Sequence, residues 1–257
     1  MMSKEENGRT LRSIIHFNDR LGCVEAARSL DYFRCIEYLL VLDLLDLKPD
    51  LQLLDLGVGK GPFSSYLASE KGIQVLALDI APKAIGWQAQ KAGRLRLKNS
   101  QFVPIVGDSR SLSFADESFD RVLNLGSIEH VPGDGDRLTA KEMGRVLRTG
   151  GRAIFSIPYG RRYTESDTSP HVRYFERRYD EKALQERIIQ PSGLKEISRF
   201  YFGEPSLKWS RFWYSVPFVL KLPFRRATRL MASRWLSIIP AEDKDSACGI
   251  CFALAKE

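Results

Sequence analysis

No stretch of the 257-residue chain approaches the roughly 18 uncharged apolar residues that a membrane-crossing helix needs. The opening residues Met1–Thr10 are polar and charged where a secretory signal would carry an apolar core. Cysteine is scarce, four in all, too few and too scattered for a disulfide framework, which favours a reducing, cytoplasmic setting. Cys248 and Cys251 do form a C-x-x-C, but no second pair or neighbouring histidine completes a zinc site. Their segment reads as a strand, whereas a redox pair stands at a strand-to-helix turn, so packing thiols and no bound metal are expected. Acidic residues are absent between Pro205 and Pro240, where Lys208, Arg211, Lys221, Arg225, Arg226, Arg229 and Arg234 lie. Those seven cations equal the net charge of +7, so the remainder of the chain is neutral and the basicity is local.

What is present is an ordinary globular composition, 44% hydrophobic and 28% charged, in a length that suits one domain with appendages. Residues 11–47 carry apolar positions at helical spacing, among them Leu30, Phe33, Ile36, Tyr38, Leu39, Leu42 and Leu45. An N-terminal helical cap over 1–48 is therefore predicted. Strands are then expected at Leu51–Leu56, Gln74–Asp79, Phe102–Val106, Phe119–Leu125 and Ala153–Ile157. Helices are expected between them, including one over Arg137–Arg148 that ends at Gly150-Gly151. This alternation predicts an α/β fold, a doubly wound and mostly parallel sheet with right-handed crossovers. Past residue 158 the rhythm changes to a helix over Asp180–Ile189, a strand over Leu194–Phe202 and a closing strand over Gly249–Ala255. The expected domain thus covers 49–257 and carries a basic-aromatic insertion at 205–245 before the last strand.

The loop Asp55-Leu56-Gly57-Val58-Gly59-Lys60-Gly61 follows the first strand, and Pro62 opens the next helix. Glycines there let the backbone approach a ligand closely. A dinucleotide fingerprint would need a third glycine at the position that Pro62 occupies, and a phosphate loop would need Ser or Thr after Lys60. Both are excluded. An acidic residue ahead of alternate glycines suits a ligand with an amino acid at one end and a nucleoside at the other. Asp79 and Asp108 punctuate the ends of the second and third strands, where open α/β sheets bind ligands. Each, taken singly, also reads as a helix cap or turn former.

In order and spacing these features resemble those of class I S-adenosylmethionine-dependent methyltransferases, and the small-molecule enzymes called type 11 most of all. The likeness is carried by the glycine loop, by Asp79, by Gly107-Asp108-Ser109 running into Leu112-Ser113-Phe114-Ala115-Asp116-Glu117-Ser118-Phe119-Asp120, by Asn124–Val131, and by Arg145-Val146-Leu147-Arg148-Thr149-Gly150-Gly151. It implies a Rossmann-like sheet in the order 3-2-1-4-5-7-6 with S-adenosylmethionine as cofactor. By the same resemblance the cofactor is held by Asp55, Gly57, Val58, Gly59, Gly61, Asp79, Ile80, Asp108, Ser109, Asn124 and Leu125. The family's acid at Asp79 grips the ribose hydroxyls, and that at Asp108 contacts the adenine amino group. Methyl transfer itself needs a held nucleophile and dry surroundings, and a base only when the accepting atom must lose a proton. His130 and Glu129, just past the fourth strand, are the candidates, each with a packing or surface role as its alternative.

Acceptor clues are weaker. Asn124-Leu125-Gly126-Ser127 lacks the N/D-P-P-Y/F motif of enzymes that methylate amino groups of DNA bases or glutamine. Arg161, Arg162, Arg173, Arg177 and Arg178 follow the fifth strand and fit either an anionic acceptor or a solvated loop. In the insertion, Trp209, Phe212, Trp213, Tyr214, Phe218, Phe224 and Trp235 alternate with the cations. A buried helical subdomain, a peripheral membrane contact through 205–240, and nucleic-acid binding remain open there, the last least favoured. The expectation is methyl transfer to a small-molecule, glycan or lipid-linked acceptor, with an RNA methyltransferase or a non-catalytic cofactor-binding partner protein as alternatives.

Overall fold

The computed structural model describes residues 4–22, 30, 33–166, 175–204 and 237–257. Most of the basic-aromatic insertion, along with His171, Arg173 and Tyr174, lies outside these residues. Helix α1 (Lys4–Arg20) and helix α2 (Arg34–Leu45) precede the first strand. Of the region expected to be helical, 11–47, the described residues hold α1 up to Arg20 and all of α2. The first closes where the Leu21 and Gly22 N–H groups bond to the Asn18 and Asp19 carbonyls.

Strand β1 (Gln52–Leu56), helix α3 (Phe63–Lys71), strand β2 (Gln74–Asp79), helix α4 (Pro82–Leu95) and strand β3 (Phe102–Val106) then alternate. Strand β4 (Phe119–Leu125), helix α5 (Gly135–Val146) and strand β5 (Leu147–Pro158) follow. A small antiparallel hairpin, β6 (Thr164–Ser166) with β7 (Glu176–Arg178), arises inside the arginine-rich stretch that reads as loop in the sequence. Helix α6 (Glu181–Leu184), capped by the Asp180 carboxylate at the Ala183 N–H, runs through a π-helical turn (Gln185–Ile189) into α7 (Gln190–Ser192). Strands β8 (Lys195–Gly203), β9 (Ser237–Ile239) and β10 (Gly249–Ala255) complete the chain.

Among the described residues the main sheet has eight strands in the order β3-β2-β1-β4-β5-β10-β8-β9. The first five positions are joined by parallel pairing, and β10 inserts antiparallel between β5 and β8. Strands β8 and β10 stand where the sixth and seventh strands of the expected order belong, and β9 adds an edge strand that nothing in the sequence announced. The Arg145–Gly151 turn is also different. Strand β5 starts at Leu147, and its pairing with β4 slips between Phe119 and Arg121, so the glycine pair becomes an irregularity within the strand.

Alternate residues of each central strand bury on opposite faces, as parallel strands covered on both sides must. Leu53, Val75, Leu123 and Ala253 pack under α1, α2 and α3. Leu54, Leu78, Val122 and Phe252 pack against α5 and the Ile188 turn. The Phe155 and Phe252 rings stack at 4.9 Å on this second face. Cys251 is fully buried beside Ser156, and burial pushes the Cys248 thiol up to about 12, so both behave as packing groups.

Candidate active site at the carboxyl ends of the strands

Beyond β1 the chain turns back at Gly57, whose N–H, like that of Val58, bonds to the Leu78 carbonyl of β2. Gly57 has φ +74°, and a Cβ on it would collide with the Ser127 hydroxyl, so only glycine fits this crossing. The Asp79 carboxylate holds the loop from the side. One oxygen accepts the Gly59 N–H at 2.8 Å, the other the Ala81 N–H at 2.9 Å. From below, Gln88 of α4 donates to the Gly59 and Gly61 carbonyls, each at 3.0 Å. Lys91, one turn further, donates to the Lys60 and Gly61 carbonyls. Three consecutive carbonyls are therefore drawn toward α4. In planar trans peptides the N–H opposes the C=O, so the Lys60 and Gly61 N–H groups face the open side of the loop.

Asp55 supports this loop from inside. It is buried and accepts the Ser64 hydroxyl on the first turn of α3. Burial pushes its carboxyl up to about 6, against the Ser64 bond and the Arg34 charge that favour the ion. Val58 and Leu125 are nearly buried. Asn124 is fully buried, with its oxygen on the Ile128 N–H at 2.9 Å and its amide nitrogen without a hydrogen-bond partner. Of the residues implied by resemblance, Asp55 and Asn124 are thus braces within the frame.

Over β2 and β3 the rim is open. Ile80 is 63% exposed and Val106 55%, an apolar pair flanked by the carboxylates of Asp79 and Asp108. Asp108 takes a bidentate pair from Arg110, which holds its carboxyl below the usual carboxylate range. Ser109 turns to the Thr139 hydroxyl at 3.0 Å. An apolar surface between two acids fits a nucleoside, with its flat base and paired hydroxyls. Val106 carries no motif in the sequence, and its place as the last residue of β3 is the signal that could have found it.

Over β1 and β4 the site closes under α2. The Arg34 guanidinium lies so close to Gly126 that a Cβ there would collide with it. Arg34 bonds Glu37 at 2.6 Å, and the Tyr38 hydroxyl stands against Gly61. Glu129 lies on the 3₁₀ turn Ile128–His130, is 3% exposed, and leaves Oε2 without a hydrogen-bond partner. Burial is the main cause that pushes its carboxyl up to about 8. His130 is held below its ordinary value by burial, against the Phe175 carbonyl that its Nδ1 meets at 2.9 Å. A carbonyl only accepts, so Nδ1 carries the proton and Nε2 is the acceptor nitrogen, 3.7 Å from Glu129 Oε1. Arg34, Glu37 and Tyr38 were missed as site residues because their helix reads by its apolar stripe. The charged i,i+3 pair beside that stripe was the available clue.

The arginine-rich stretch divides. Arg177 is fully buried, donating to Glu165 at 2.9 Å and to the Val131 and Gly133 carbonyls, with Asp136 at 3.6 Å. Arg178 donates to the Tyr159 carbonyl. Arg161 pairs with Asp245, and Arg162 is exposed. Among the described residues no group of three or more metal-ligating side chains converges, and no helix is long and apolar enough to cross a membrane.

Comparison with known proteins agrees with this geometry. Residues 54–155 match the family described as a methyltransferase domain. Over 141 residues the chain is 28% identical to phosphoethanolamine N-methyltransferase 2 of Caenorhabditis elegans, covering 55% of this chain and 31% of that protein. It spans less than half the length of the curated relatives it matches. The [4+2]-cyclase SpnF superposes with a TM-score of 0.64 at 19% identity, over 90% of this chain and 84% of that one. Geranyl diphosphate C-methyltransferase of Streptomyces coelicolor, solved with geranyl diphosphate and S-adenosyl-L-homocysteine, gives 0.61 at 15% identity, over 86% and 79%. At such identities the likeness is one of fold.

Proposed function

We propose, from the premise that residues 54–155 form a class I S-adenosylmethionine-dependent methyltransferase domain, that this chain transfers the cofactor's methyl group to a small-molecule or lipid-linked acceptor. The observation that carries the cofactor reading is the Asp79 corner. One carboxylate there fastens the glycine loop and the start of α4, next in the chain to the exposed Ile80. Asp79, Ile80, Val106 and Asp108 would hold the adenosine half. The outward N–H groups of Lys60 and Gly61 would meet the amino-acid half across β1.

When bound, the cofactor supplies an electrophilic methyl on a sulfonium. The protein's part is to position the acceptor in line, exclude water and take up a proton where one is released. His130 suits that last task, since its acceptor nitrogen is defined by the Phe175 bond and burial favours the neutral ring. Glu129 is its neighbour on the same turn.

A phosphate-bearing acceptor is favoured. The relatives named above act on phosphoethanolamine and geranyl diphosphate, and exposed Arg162 together with the cations of 205–240 would suit an anionic group. A peripheral membrane contact through 205–240 would serve a lipid-linked version of it. A second reading is a non-catalytic cofactor-binding partner protein, and the fold is compatible with it, since it is shared with a [4+2]-cyclase.

Calorimetric titration with S-adenosylmethionine and S-adenosylhomocysteine tests the cofactor reading. Micromolar binding is expected, weakened by about a hundredfold in Asp79→Ala, because the ligand contact and the loop tether are lost together. Absence of binding to folded wild-type protein would overturn it. Release of S-adenosylhomocysteine with phosphate-bearing amines, isoprenoids and lipids then separates methyl transfer from binding alone.

A further inference from the structure

A buried carboxyl group with an unused oxygen demands a reason, because leaving a buried polar atom unpaired costs about 1–3 kcal/mol. Glu129 Oε2 is such an atom, on a residue 3% exposed at the carboxyl ends of β1 and β4. Its neighbours are identified. Helix α2 presents Arg34 and Glu37, strand β7 presents Glu176, Tyr179 follows that strand, and His130 is adjacent on the same turn. Arg34 is already engaged with Glu37 at 2.6 Å. The long 3.7 Å approach of His130 uses Oε1. Nothing described satisfies Oε2.

Sheet order says what should. The nucleoside rim of Asp79, Ile80, Val106 and Asp108 stands over β2 and β3. A cofactor extended across the sheet from there must lay its opposite, cationic end over β1 and β4, on the Glu129 side. That end carries a permanent positive charge on sulfur before methyl transfer and a neutral thioether afterwards.

We propose that Glu129 reads the charge on the cofactor's sulfur: its carboxyl gives a proton to solvent when the sulfonium form binds, and takes one back when the neutral thioether product occupies the site. The inference rests on the cofactor reading above. With its burial, Glu129 holds its proton at pH 7 in the free protein. An opposite charge within about 6 Å favours the carboxylate by a factor of about ten to a thousand. The carboxylate then stabilises the reactant cofactor and loses its partner once the charge is gone, which favours product release. No bond other than the O–H is made or broken in this step.

The test is calorimetry of the whole chain at pH 7 in two buffers of different ionisation enthalpy, which counts protons exchanged on binding. S-adenosylmethionine, S-adenosylhomocysteine and sinefungin, whose amine places a cation where the sulfonium stands, are the probes. Release of about 0.5–0.9 proton more for the two cationic ligands than for S-adenosylhomocysteine is expected. In Glu129→Gln that difference should vanish. Equal proton counts for all three ligands would overturn the proposal and assign Oε2 to the ammonium group they share. A difference that survives in Glu129→Gln would also overturn it. The wild-type comparison stands by itself if the variant does not fold. If none of the ligands binds wild type, the cofactor reading fails instead.

Discussion

At the scale of single residues, burial decides which acids are ions. Glu129 and Asp55 both lie inside the frame and are pushed up, while half-buried Asp108 is drawn down by Arg110. For Glu129 the linkage has a definite sign. The folded chain keeps a proton that the unfolded chain loses above its ordinary value of 4.5, so stability is present below that value and is lost as pH rises toward about 8. Each pH unit in that window is worth at most about 1.4 kcal/mol. Glu129→Gln cannot ionise, so its stability relative to wild type should rise by about 3 kcal/mol between pH 5 and 7.5, measured by urea denaturation. A constant difference across that range would contradict the buried, protonated state. Asp55 contributes the same trend at lower pH in both proteins and cancels in the comparison.

Among elements, α4 has a role that its sequence does not advertise. Gln88 and Lys91 sit one turn apart on the buried face and bind three loop carbonyls between them. The glycines make the loop bendable, and α4 selects the bend. Gln88→Leu removes two donors without altering charge. It should weaken S-adenosylhomocysteine about tenfold by calorimetry, at about 1 kcal/mol per lost bond partly recovered by relaxation. Unchanged far-UV circular dichroism would show that the helix itself survives. The loop was legible from Asp55 to Gly61, but its clamp was not, because the partners lie 27 to 31 residues away.

The whole molecule joins a cofactor half, β1–β4, to a second half built from β5 onward. Arg177 is a principal joint. It ties the β6–β7 hairpin to the Val131 and Gly133 carbonyls beside α5, in a buried group with Asp136, Arg187 and Tyr179. Arg177→Met should cost about 3–5 kcal/mol in urea denaturation, because it strands buried acceptors. S-adenosylhomocysteine affinity should stay within about threefold, since the glycine loop is not touched. A large affinity loss with little destabilisation would mean that this arginine serves the ligand directly.

What the linear sequence determined by itself was everything local: seven strands and the helices between the first five, the glycine loop, and the acids that end β2 and β3. These follow from hydrophobic period, glycine and proline placement, and short spacing, all of which act within a few residues. Tertiary structure alone decided the rest. It added β9 at the sheet edge, drew Arg177 inward, and set Arg34 and Tyr38 of α2 against Gly126 and Gly61. Burial and partnership are properties of residues distant in sequence and near in space. A glutamate at position 129 is an ordinary surface acid until α2 and β7 enclose it.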